Sequence, residues 1–594
     1  MTPSPLTPLP APSWRHCGED ATTADPVGCR GRQVPGESLC LAHLPPVSRA
    51  RYLAALSPGA DIDHSGTTFA GSLLDDLLNA LRDPTSGRPC FAVAVFSGAT
   101  FSADARFDRA TFSTDASFSW VTFSEEAHFE DARFSADARF DGSTFYYARF
   151  NGARFSADAS FDVATFSLAS FENATFSAPI SFNGATFSME TRFNGATFSA
   201  AARFEEVTFS ADTWFYGTTF SATPSLGPLV CQGRLDLSSA VFVTPVNIEA
   251  AAVEVRCVRT RWESPAALRL RYAEVDLSDA VVTQPIAVTA PTAPFVIGRD
   301  FHEPTLTNTA GAQLDPGVRI RSLRGVDAAH LVLTNTDLTG CRFFGALHLD
   351  QLRLEGETVF ARTPVGTDVR RGIPLRWTDR LALAEEHHWR ALPEHRPRLR
   401  AGWTPAPPEP GPVACPPGPP ALAALYRQLR KAFEDGKDEP GAADFYYAEM
   451  EMRRLGPRSR RKRAEQGLLT GYWALSGYGL RASRALAWLL LAMTATVLAM
   501  MLWGLPSDDP KPESTGTVTG NNIRLTTDTP VPVNPSGPLH KRVSTKRFEK
   551  SLRVVVNSVI FRSSGQNLTT RGTYTEMASR LTEPILLGFA ALAI

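Results

Sequence analysis

The first 17 residues, MTPSPLTPLPAPSWRHC, contain neither the basic stretch nor the apolar run of a secretory signal peptide. The eight cysteines show no pairing-like spacing, so a disulfide-stapled secreted fold is not predicted. The formal net charge of −1 gives the whole chain no pull towards nucleic acid or acidic membranes. The sequence also lacks a glycine-rich phosphate loop, a nucleophile elbow and a pair of carboxylates that stands out. These absences argue against an enzyme, predict no catalytic residue, and place the N-terminal bulk of the chain in the cytoplasm.

Phenylalanine, in contrast, is abundant, and 24 of the 37 Phe residues lie between positions 96 and 220. Successive Phe residues there are five positions apart 14 times and six positions apart nine times. A five-residue step scatters side chains around an α-helix and flips them across a straight strand. A chain that turns a corner in each repeat instead lets every Phe point inward. Alanine precedes the Phe by two positions in 17 of the 24 repeats, which pairs a small inward side chain with each large one.

This A-[TRS]-F-x-x pattern resembles the pentapeptide-repeat family. The resemblance implies a mainly β fold, a right-handed quadrilateral β-helix with four repeats in each coil. At about 4.8 Å per coil, 24 repeats make about six coils and a rod on the order of 29 Å long. The core is predicted to contain the rings of Phe101, Phe107, Phe112, Phe118, Phe123, Phe129, Phe134 and Phe140.

Beyond position 222 the repeat decays without vanishing. Apolar residues keep the five-or-six spacing at Leu237, Phe242, Ile248, Val253 and Val258, and again at Leu333, Leu338, Phe343, Leu349, Leu354 and Val359. We therefore expect a second, irregular β-helical region. The predicted regions are a Cys/His-containing module (1–50), a helical cap (51–90), the regular β-helix (91–222), an irregular β-helical region (223–390), a proline-rich linker (391–420), a helical hairpin and basic juxtamembrane segment (421–465), a transmembrane helix (466–505), an external loop (506–546), and a re-entrant or short helix with a second apolar segment (547–594).

A membrane span is predicted from Ala485 to Leu505, 21 residues without a charge. Seven Arg or Lys residues lie at positions 453–463, and two aspartates follow the span. This asymmetry places the N-terminal side in the cytoplasm of a cell-membrane protein. The basic run before the span favours contact with anionic lipid headgroups over nucleic acid. A second apolar segment begins at Pro584 and is too short to cross a bilayer.

The order of span, loop, short helix and second apolar segment resembles the two-span layout of bacterial channels. No TxGYG-like filter lies between Phe548 and Pro584, so potassium conduction is not expected. The Gly477-Tyr478-Gly479 sequence precedes the span and is interpreted as a turn.

The N-terminal module offers Cys17, Cys29, Cys40 and His43 as a metal-binding set, with His16 as a substitute for one ligand. Three thiolates and one imidazole suit tetrahedral zinc, and a filled ligand set predicts a structural rather than a catalytic ion. Ordinary free thiols in a loop are the alternative. The acidic and histidine residues at 385–388 are adjacent on a predicted helix, where side chains diverge by about 100°, and we interpret them as a solvated surface.

Two functional hypotheses from different classes follow. The first is a membrane-anchored scaffold for protein–protein interaction, with no enzymatic activity. The second is the cytoplasmic sensor domain of a two-span channel-like protein. Residues 96–220 also carry 16 acidic residues, eight Arg and no Lys. Some pentapeptide-repeat proteins are acidic rods that resemble DNA and block gyrase, but a membrane anchor makes this third role the least favoured. The expected partners are a protein of unknown identity and membrane lipids, and the oligomeric state stays open.

Overall fold

The structure is a computed structural model that describes residues 11–23, 25–297, 301–308, 311–364, 367–370, 373–376, 378–394, 402–406, 416–456, 463–507, 511–519, 522–528, 530–561 and 567–592. It divides into two compact units. The first contains residues 1–417 and 427–442, and the second contains residues 418–426 and 443–594.

The first unit is a parallel β-solenoid of about 12 turns. Each short strand pairs in parallel with the equivalent strand one coil later, as Phe101 pairs with Phe123 and Phe112 with Phe134. The pairings form four stacks, which we number in the order in which the chain passes through them, starting at Ala94. A coil therefore contributes one short extended segment to each stack, because a turn follows every repeat.

The strands have the following bounds. Stack one contains Ala60–Asp63, Cys90–Val95, Ala116–Ser117, Ala138–Arg139, Ala159–Ser160, Ile180–Ser181 and Ala202–Arg203. Stack two contains Thr68–Phe69, Thr100–Phe101, Thr122–His128, Thr144–Arg149, Thr165–Ser170, Thr186–Phe187, Thr208–Phe209 and Ser225–Asp236. Stack three begins at Ala105–Arg106, shares the long strands of stack two, and continues through Thr191–Arg192, Thr213–Trp214, Val246–Arg256, Glu274–Asp276, Val318–Ser322 and Thr336–Asp337. Stack four shares Cys90–Val95 and contains Thr111–Phe112, Arg133–Phe134, Arg154–Phe155, Thr175–Phe176, Thr197–Phe198, Thr219–Phe220, Val241–Phe242, Arg261–Trp262 and Val281–Val282.

The core consists of columns of stacked rings. Phe140 and Phe161, one coil apart, have ring centroids 4.6 Å apart and planes only 2° apart. Rings of different columns meet edge to face, as Phe118 and Phe129 do at 5.4 Å and 87°. The columns therefore interlock in the arrangement that aromatic quadrupoles favour. Each of the eight rings predicted from the sequence is at most 1% exposed: Phe101, Phe107, Phe112, Phe118, Phe123, Phe129, Phe134 and Phe140.

Later coils keep the pairing but change their length. Trp262 pairs with Phe242 and Leu268 with Ile248, so these coils contain 20 residues, whereas the regular coils contain 21 or 22. One residue fewer moves the inward positions, and Val255 and Cys257 are buried. The predicted inward positions Val253 and Val258 are only partly buried, and Val359 is 53% exposed. At 253 and 258 the prediction was wrong because these coils are one residue shorter than the five-residue step requires. Val359 faces outward because it pairs with Asp337, so Phe360 is the buried residue that follows Leu338 in the next coil. Further strands of these coils are Ala266–Arg271, Ile286–Thr289, Leu331–Thr334 and Arg353–Glu355, with 3₁₀ turns at Ala328–His330 and Leu349–Gln351.

The N-terminal end of the solenoid is covered by more than the predicted helical cap. Helices α1 (Pro46–Ala55) and α2 (Leu73–Ala80) are present, but two strands between them already belong to the stacks. Phe69 stacks on Phe101 with centroids 4.8 Å apart, and His64 lies over Phe96 at 6.4 Å. The cap is thus partly a first coil, because a ring column needs a partner at its end.

The first unit ends in small antiparallel pairs and helix α3 (Ala384–Arg390). The pairs are Val296–Ile297 with Phe301–His302, Ala361–Arg362 with Leu381–Ala382, and Thr367–Arg370 with Ile373–Arg376. Much of the predicted proline-rich linker, at 395–401 and 407–415, lies outside the described residues.

Helices α4 (Pro419–Asp435) and α5 (Glu439–Leu455) lie where a helical hairpin was predicted. Residues 427–442 of this hairpin belong to the first unit and its remaining residues to the second. Beyond α5, the second unit contains α6 (Arg463–Ser476), α7 (Ala482–Ala499) and a π-helical turn (Met500–Gly504). It then contains a hairpin of Glu513–Thr519 with Asn522–Asp528, a 3₁₀ turn at Leu539–Arg542, and helices α8 (Thr545–Phe561) and α9 (Thr570–Ala591). The predicted transmembrane helix of 466–505 is therefore two helices, since a turn at 477–481 separates α6 from α7. Pro584 does not begin a segment, because it lies inside α9.

Removal of one ring from the middle of a column should strongly destabilise the solenoid. Phe150 is stacked between Phe129 at 4.7 Å and Phe171 at 5.0 Å and is fully buried. We expect Phe150→Ala to lower the unfolding free energy by about 3–5 kcal/mol, because it leaves a ring-sized cavity. Tyr146→Ala, which changes an exposed side chain of the same coil, should shift it by less than about 0.5 kcal/mol. Urea unfolding followed by circular dichroism measures both, and equal effects would contradict the stacked core.

Acid should loosen the N-terminal end of the solenoid through His64. Complete burial lowers the pKa of this imidazole from 6.5 to about 4. The neutral ring therefore stabilises the fold fully above the unfolded pKa, and this contribution disappears as pH falls from about 6.5 towards 4. The two pKa values differ by an amount equivalent to about 3 kcal/mol. Hydrogen exchange in Ala60–Asp63 should accelerate over this pH range in the natural protein, after correction for intrinsic exchange. His64→Phe should remove most of that acceleration, and an unchanged pH profile in this variant would refute the role of His64.

Candidate metal centre and solenoid surface

The sequence-predicted metal set converges at the N-terminal end of the first unit. The amide of Cys17 donates to the carbonyl of Gly31 at 2.8 Å, and the amide of Cys29 donates to that of Glu19 at 2.7 Å. These bonds bring Cys17 and Cys29 close together. A turn at 40–44, in which the His43 amide donates to the Cys40 carbonyl, places Cys40 and His43 next to them. The ligand atoms of all four residues lie within 4.8 Å of one another. His16, the substitute ligand, is not part of this group.

The distances match the edges of a zinc tetrahedron. Bond lengths of about 2.3 Å for Zn–S and about 2.0–2.1 Å for Zn–N require S···S edges of about 3.8 Å and S···N edges of about 3.5 Å. The sulfurs of Cys29 and Cys40 are 3.7 Å apart, and His43 Nδ1 lies 3.5 Å from the sulfurs of Cys17 and Cys40. The three thiols are free rather than paired in a disulfide. The residues therefore fit the ion that the sequence suggested.

The surroundings of the set orient its members. His43 Nε2 lies 3.7 Å from a carboxylate oxygen of Asp20, the type of outer contact that fixes a ligating imidazole. A Cβ on Gly31 would lie 2.8 Å from the Cys40 sulfur, so no larger residue fits there. Burial raises the pKa of the Cys29 thiol, and that of Cys40 to about 12, so in the absence of metal both remain protonated at neutral pH.

The module is attached to the first coil. The Arg32 amide donates to the Ser65 carbonyl at 2.8 Å, and its guanidinium lies 2.9 Å from Asp63. The Trp14 indole donates to the Arg30 carbonyl at 2.9 Å, and its ring lies against Gly66. The four-ligand set therefore lies in a lid over the start of the solenoid.

Glu385, Glu386 and His387 of α3 are buried and His388 is partly buried, so their interpretation as a solvated surface was wrong. Glu385 accepts hydrogen bonds from the amides of Phe343 and Phe344, and burial raises the pKa of its carboxyl. Glu386 is fully buried and binds Arg380 and Arg390, each at 2.7 Å. Adjacent side chains do diverge on the helix, but each carboxylate reaches its own buried partner.

One side of the regular solenoid carries no charge. Stack two places an outward threonine on every coil, at Thr100, Thr122, Thr144, Thr165, Thr186 and Thr208. We call these residues the threonine face. Exposed apolar residues flank it, with Trp120 and Val163 on the preceding corner, and Tyr146 and Met189 on the following one. On the other stacks, arginine or histidine occupies outward positions, such as Arg139, Arg149 and Arg154.

The corner before the threonine face has a left-handed backbone. Its residues include Gly98, Trp120, Gly142 and Val163, all with φ near +60° to +70°. A Cβ on Gly142 would lie 2.5 Å from the ring of Trp120, so glycine is required beneath that side chain. An exposed Trp and a β-branched Val in this conformation cost backbone energy.

Several acidic and amide side chains of the solenoid bridge successive coils. Asp162 accepts from the Asn183 amide at 2.9 Å and from the Ser181 hydroxyl one coil later. Asn151 accepts from the Glu172 amide at 3.1 Å and from Ser170 at 2.6 Å. Glu126 lies 2.8 Å from Arg149 of the next coil. These groups hold the coils in register, a role that a count of acidic residues in the sequence did not show.

In the second unit, α7 and the π-helical turn form a helix of 23 residues, Ala482–Gly504, that is long and apolar enough to cross a membrane. It is the one such helix within the described ranges. Tyr478 of the Gly-Tyr-Gly sequence is buried in the turn before it, where its hydroxyl accepts from Arg454 at 3.0 Å. The three residues therefore form a turn rather than a filter.

Comparison with known proteins agrees with the repeat. A family model described as pentapeptide repeats (9 copies) matches residues 96–144, 140–186 and 182–227. This part of the chain is therefore a pentapeptide-repeat solenoid. No curated protein and no solved structure matches the chain.

Glu385 should stabilise the last coils of the solenoid. Its removal leaves two buried amides unpaired, so we expect Glu385→Ala to cost about 1–3 kcal/mol for each of them. Native-state hydrogen exchange should show faster exchange at Phe343 and Phe344. Glu355→Ala, at an exposed site, serves as the control. Protection that is unchanged in Glu385→Ala would contradict this capping role.

Proposed function

We propose that the protein is a membrane-tethered, non-enzymatic scaffold that presents a right-handed, four-sided solenoid to a protein partner in the cytoplasm. The observation that carries this proposal is the threonine face. It is a regular, uncharged strip with exposed apolar side chains at its corners, where they alternate with acidic ones such as Glu125, Glu190 and Glu205. The neighbouring strips carry arginine at outward positions. Exposed apolar groups in a continuous patch are typical of protein-binding surfaces.

The chemistry of the face indicates its partner. Trp120 is 69% exposed and Val163 is 63% exposed, and both hold a costly left-handed backbone. Hydroxyl groups at the coil spacing, bordered by apolar side chains, complement an uncharged protein surface better than a charged one.

The tether is α7 with its π-helical turn. Leu490, Leu491 and Leu498 are exposed along it, as expected for side chains that contact acyl chains. The arginines and lysine at 453–463 precede it, which supports a cytoplasmic N-terminal side and contact with anionic headgroups.

A sensor domain of a two-span channel-like protein is the second candidate. The observation that favours it is a carboxylate, Glu583, which is fully buried in the second unit and accepts from Thr496 of α7 at 2.8 Å. Buried ionisable groups beside a membrane span commonly mark an ion pathway. Ion current through the reconstituted full chain would support this candidate and reject the pure scaffold.

A DNA-mimicking role has less support. Asp162 and other acidic groups are engaged in bonds between coils, and stack four carries Arg133 and Arg154 outward. A gyrase supercoiling assay tests this idea, and the absence of inhibition would end it.

We further propose that Cys17, Cys29, Cys40 and His43 bind one structural zinc ion. The support is the agreement of three interatomic distances with a tetrahedral site, together with the position of the module over the first coil. With four protein ligands the ion keeps no open position, so it would stabilise the lid rather than take part in catalysis.

Partner binding should depend on the threonine face. We expect a photo-crosslinker at Thr144 to capture a protein in membranes, whereas the same group at Arg154, on stack four at the opposite side of the coil, should not. Thr165→Arg on the same face should reduce capture by at least tenfold, since it introduces an unpaired charge. Capture that is equal at both positions, or unaffected by Thr165→Arg, would contradict this assignment.

Zinc content provides a separate prediction. Purified full chain should contain about one zinc ion per molecule by elemental mass spectrometry, and Cys40→Ser should lose it. Cys90→Ser is the matched control, because Cys90 lies outside the ligand group. Gly31→Ala should also weaken zinc retention, since its methyl group would press on the Cys40 sulfur. Zinc that persists in Cys40→Ser would disprove the site.

A further inference from the structure

In helix α9 several polar residues lie on the buried side and many apolar residues lie on the exposed side, which is the reverse of a helix at the surface of a soluble protein. It contains 22 residues, so it is about 33 Å long at about 1.5 Å per residue. This matches the hydrocarbon thickness of a bilayer, about 30 Å. Its sequence includes two glutamates and two arginines, and composition alone therefore does not mark it as a span. The buried side of the helix is formed by Gly572, Glu576, Ser579, Glu583, Leu586 and Ala590.

The polar members of this buried side have partners inside the unit. Glu583 accepts from Thr496 of α7 at 2.8 Å and from Ser579 at 3.0 Å. Glu576 pairs with Arg580 at 2.6 Å, which leaves the two charges mutually neutralised. The carboxylates are thus turned onto protein groups and away from the outer surface of α9.

The outer surface of α9 is apolar or weakly polar beyond its first turn, apart from Arg580, whose side chain is 36% exposed beside its partner Glu576. From Thr573 onward its other exposed residues carry no charge: Thr573, Tyr574, Met577, Ala578, Leu581, Thr582, Ile585, Leu587, Gly588 and Ala591. In water such an exposed strip is unfavourable, whereas acyl chains cover it without cost. The same kind of surface continues on α7 at Leu490, Leu491 and Leu498.

The two helices are in intimate contact at one end. A Cβ on Gly572 would lie 2.3 Å from the Gly504 carbonyl oxygen, so only glycine permits this approach. Small residues at helix crossings are typical of packing inside membranes. Since Gly504 contacts Gly572 and Thr496 contacts Glu583, the helices are antiparallel, as two successive crossings of one bilayer require.

We propose that α9 crosses the same bilayer as α7, with its outer surface against acyl chains and its carboxylates held on α7 by Thr496. This rests on the proposed membrane tether. Lipid covers the outer surface of α9, because this surface continues that of α7 and the length of the helix matches the thickness of the hydrocarbon core of a bilayer. Binding of a soluble partner protein would not require the length of α9 to match the thickness of a bilayer.

Thiol accessibility in membranes tests the proposal on the full chain. No natural cysteine follows position 415, so an introduced thiol is identified unambiguously on its peptide. Three exposed positions are compared: Leu581→Cys on α9, Leu490→Cys on α7, and Val531→Cys between the hairpin and α8. Unsealed vesicles expose both aqueous sides to a charged maleimide. We expect Val531→Cys to react, and the other two to react at least tenfold more slowly until the membrane is dissolved in SDS.

The outcomes separate the two proposals. Rapid reaction at 581 with slow reaction at 490 overturns the crossing of α9 and leaves the tether intact. Rapid reaction at 490 refutes the tether itself. A lipid-dissolved diazirine distinguishes acyl chains from a covering protein, and it should mark the tryptic peptide that begins at Leu581. Protection at 581 without this marking would also overturn the proposal.

Discussion

The contact between equivalent rings in successive coils determines the rest of the first unit. Parallel strands repeat at the distance at which aromatic rings stack, so backbone pairing and ring packing require the same spacing. Phe112 and Phe134 satisfy both at once, with pairing of their backbones and ring centroids 4.7 Å apart. A coil may gain or lose a residue at a corner, because that change leaves the paired positions aligned.

A solenoid of this kind has two open ends, each with unpaired strands and an unstacked layer of side chains. At one end His64 and Phe69 continue the ring columns, and the Cys/His module binds the first coil through Arg32. At the other end Glu385 accepts from two amides near the last coils. Both ends thus use polar groups held inside a folded cap, which limits edge-to-edge association.

Much of the regular solenoid could be predicted from the sequence, since the spacing of Phe is itself the coil geometry. The convergence of Cys17, Cys29, Cys40 and His43 could also be predicted, because three Cys and one His lie in a short segment with few apolar residues. The shorter coils after Phe242 were misread at Val253 and Val258, since one missing residue at a corner leaves no local signal. The burial of Glu386 depends on Arg380 and Arg390, and the inward side of α9 depends on Thr496. Such pairings arise only in the folded chain.

The threonine face is nearly identical from coil to coil, and this has a consequence for any partner that binds it. A ligand displaced by one coil would meet the same hydroxyl groups, so the threonines alone define several equivalent docking positions. Trp120, Val163 and Met189 interrupt that translational symmetry, because each occurs once along its corner. Under the proposed binding role, affinity and alignment would therefore come from different residues: the repeated threonines would supply contact area, and the few bulky side chains would select one position along the rod.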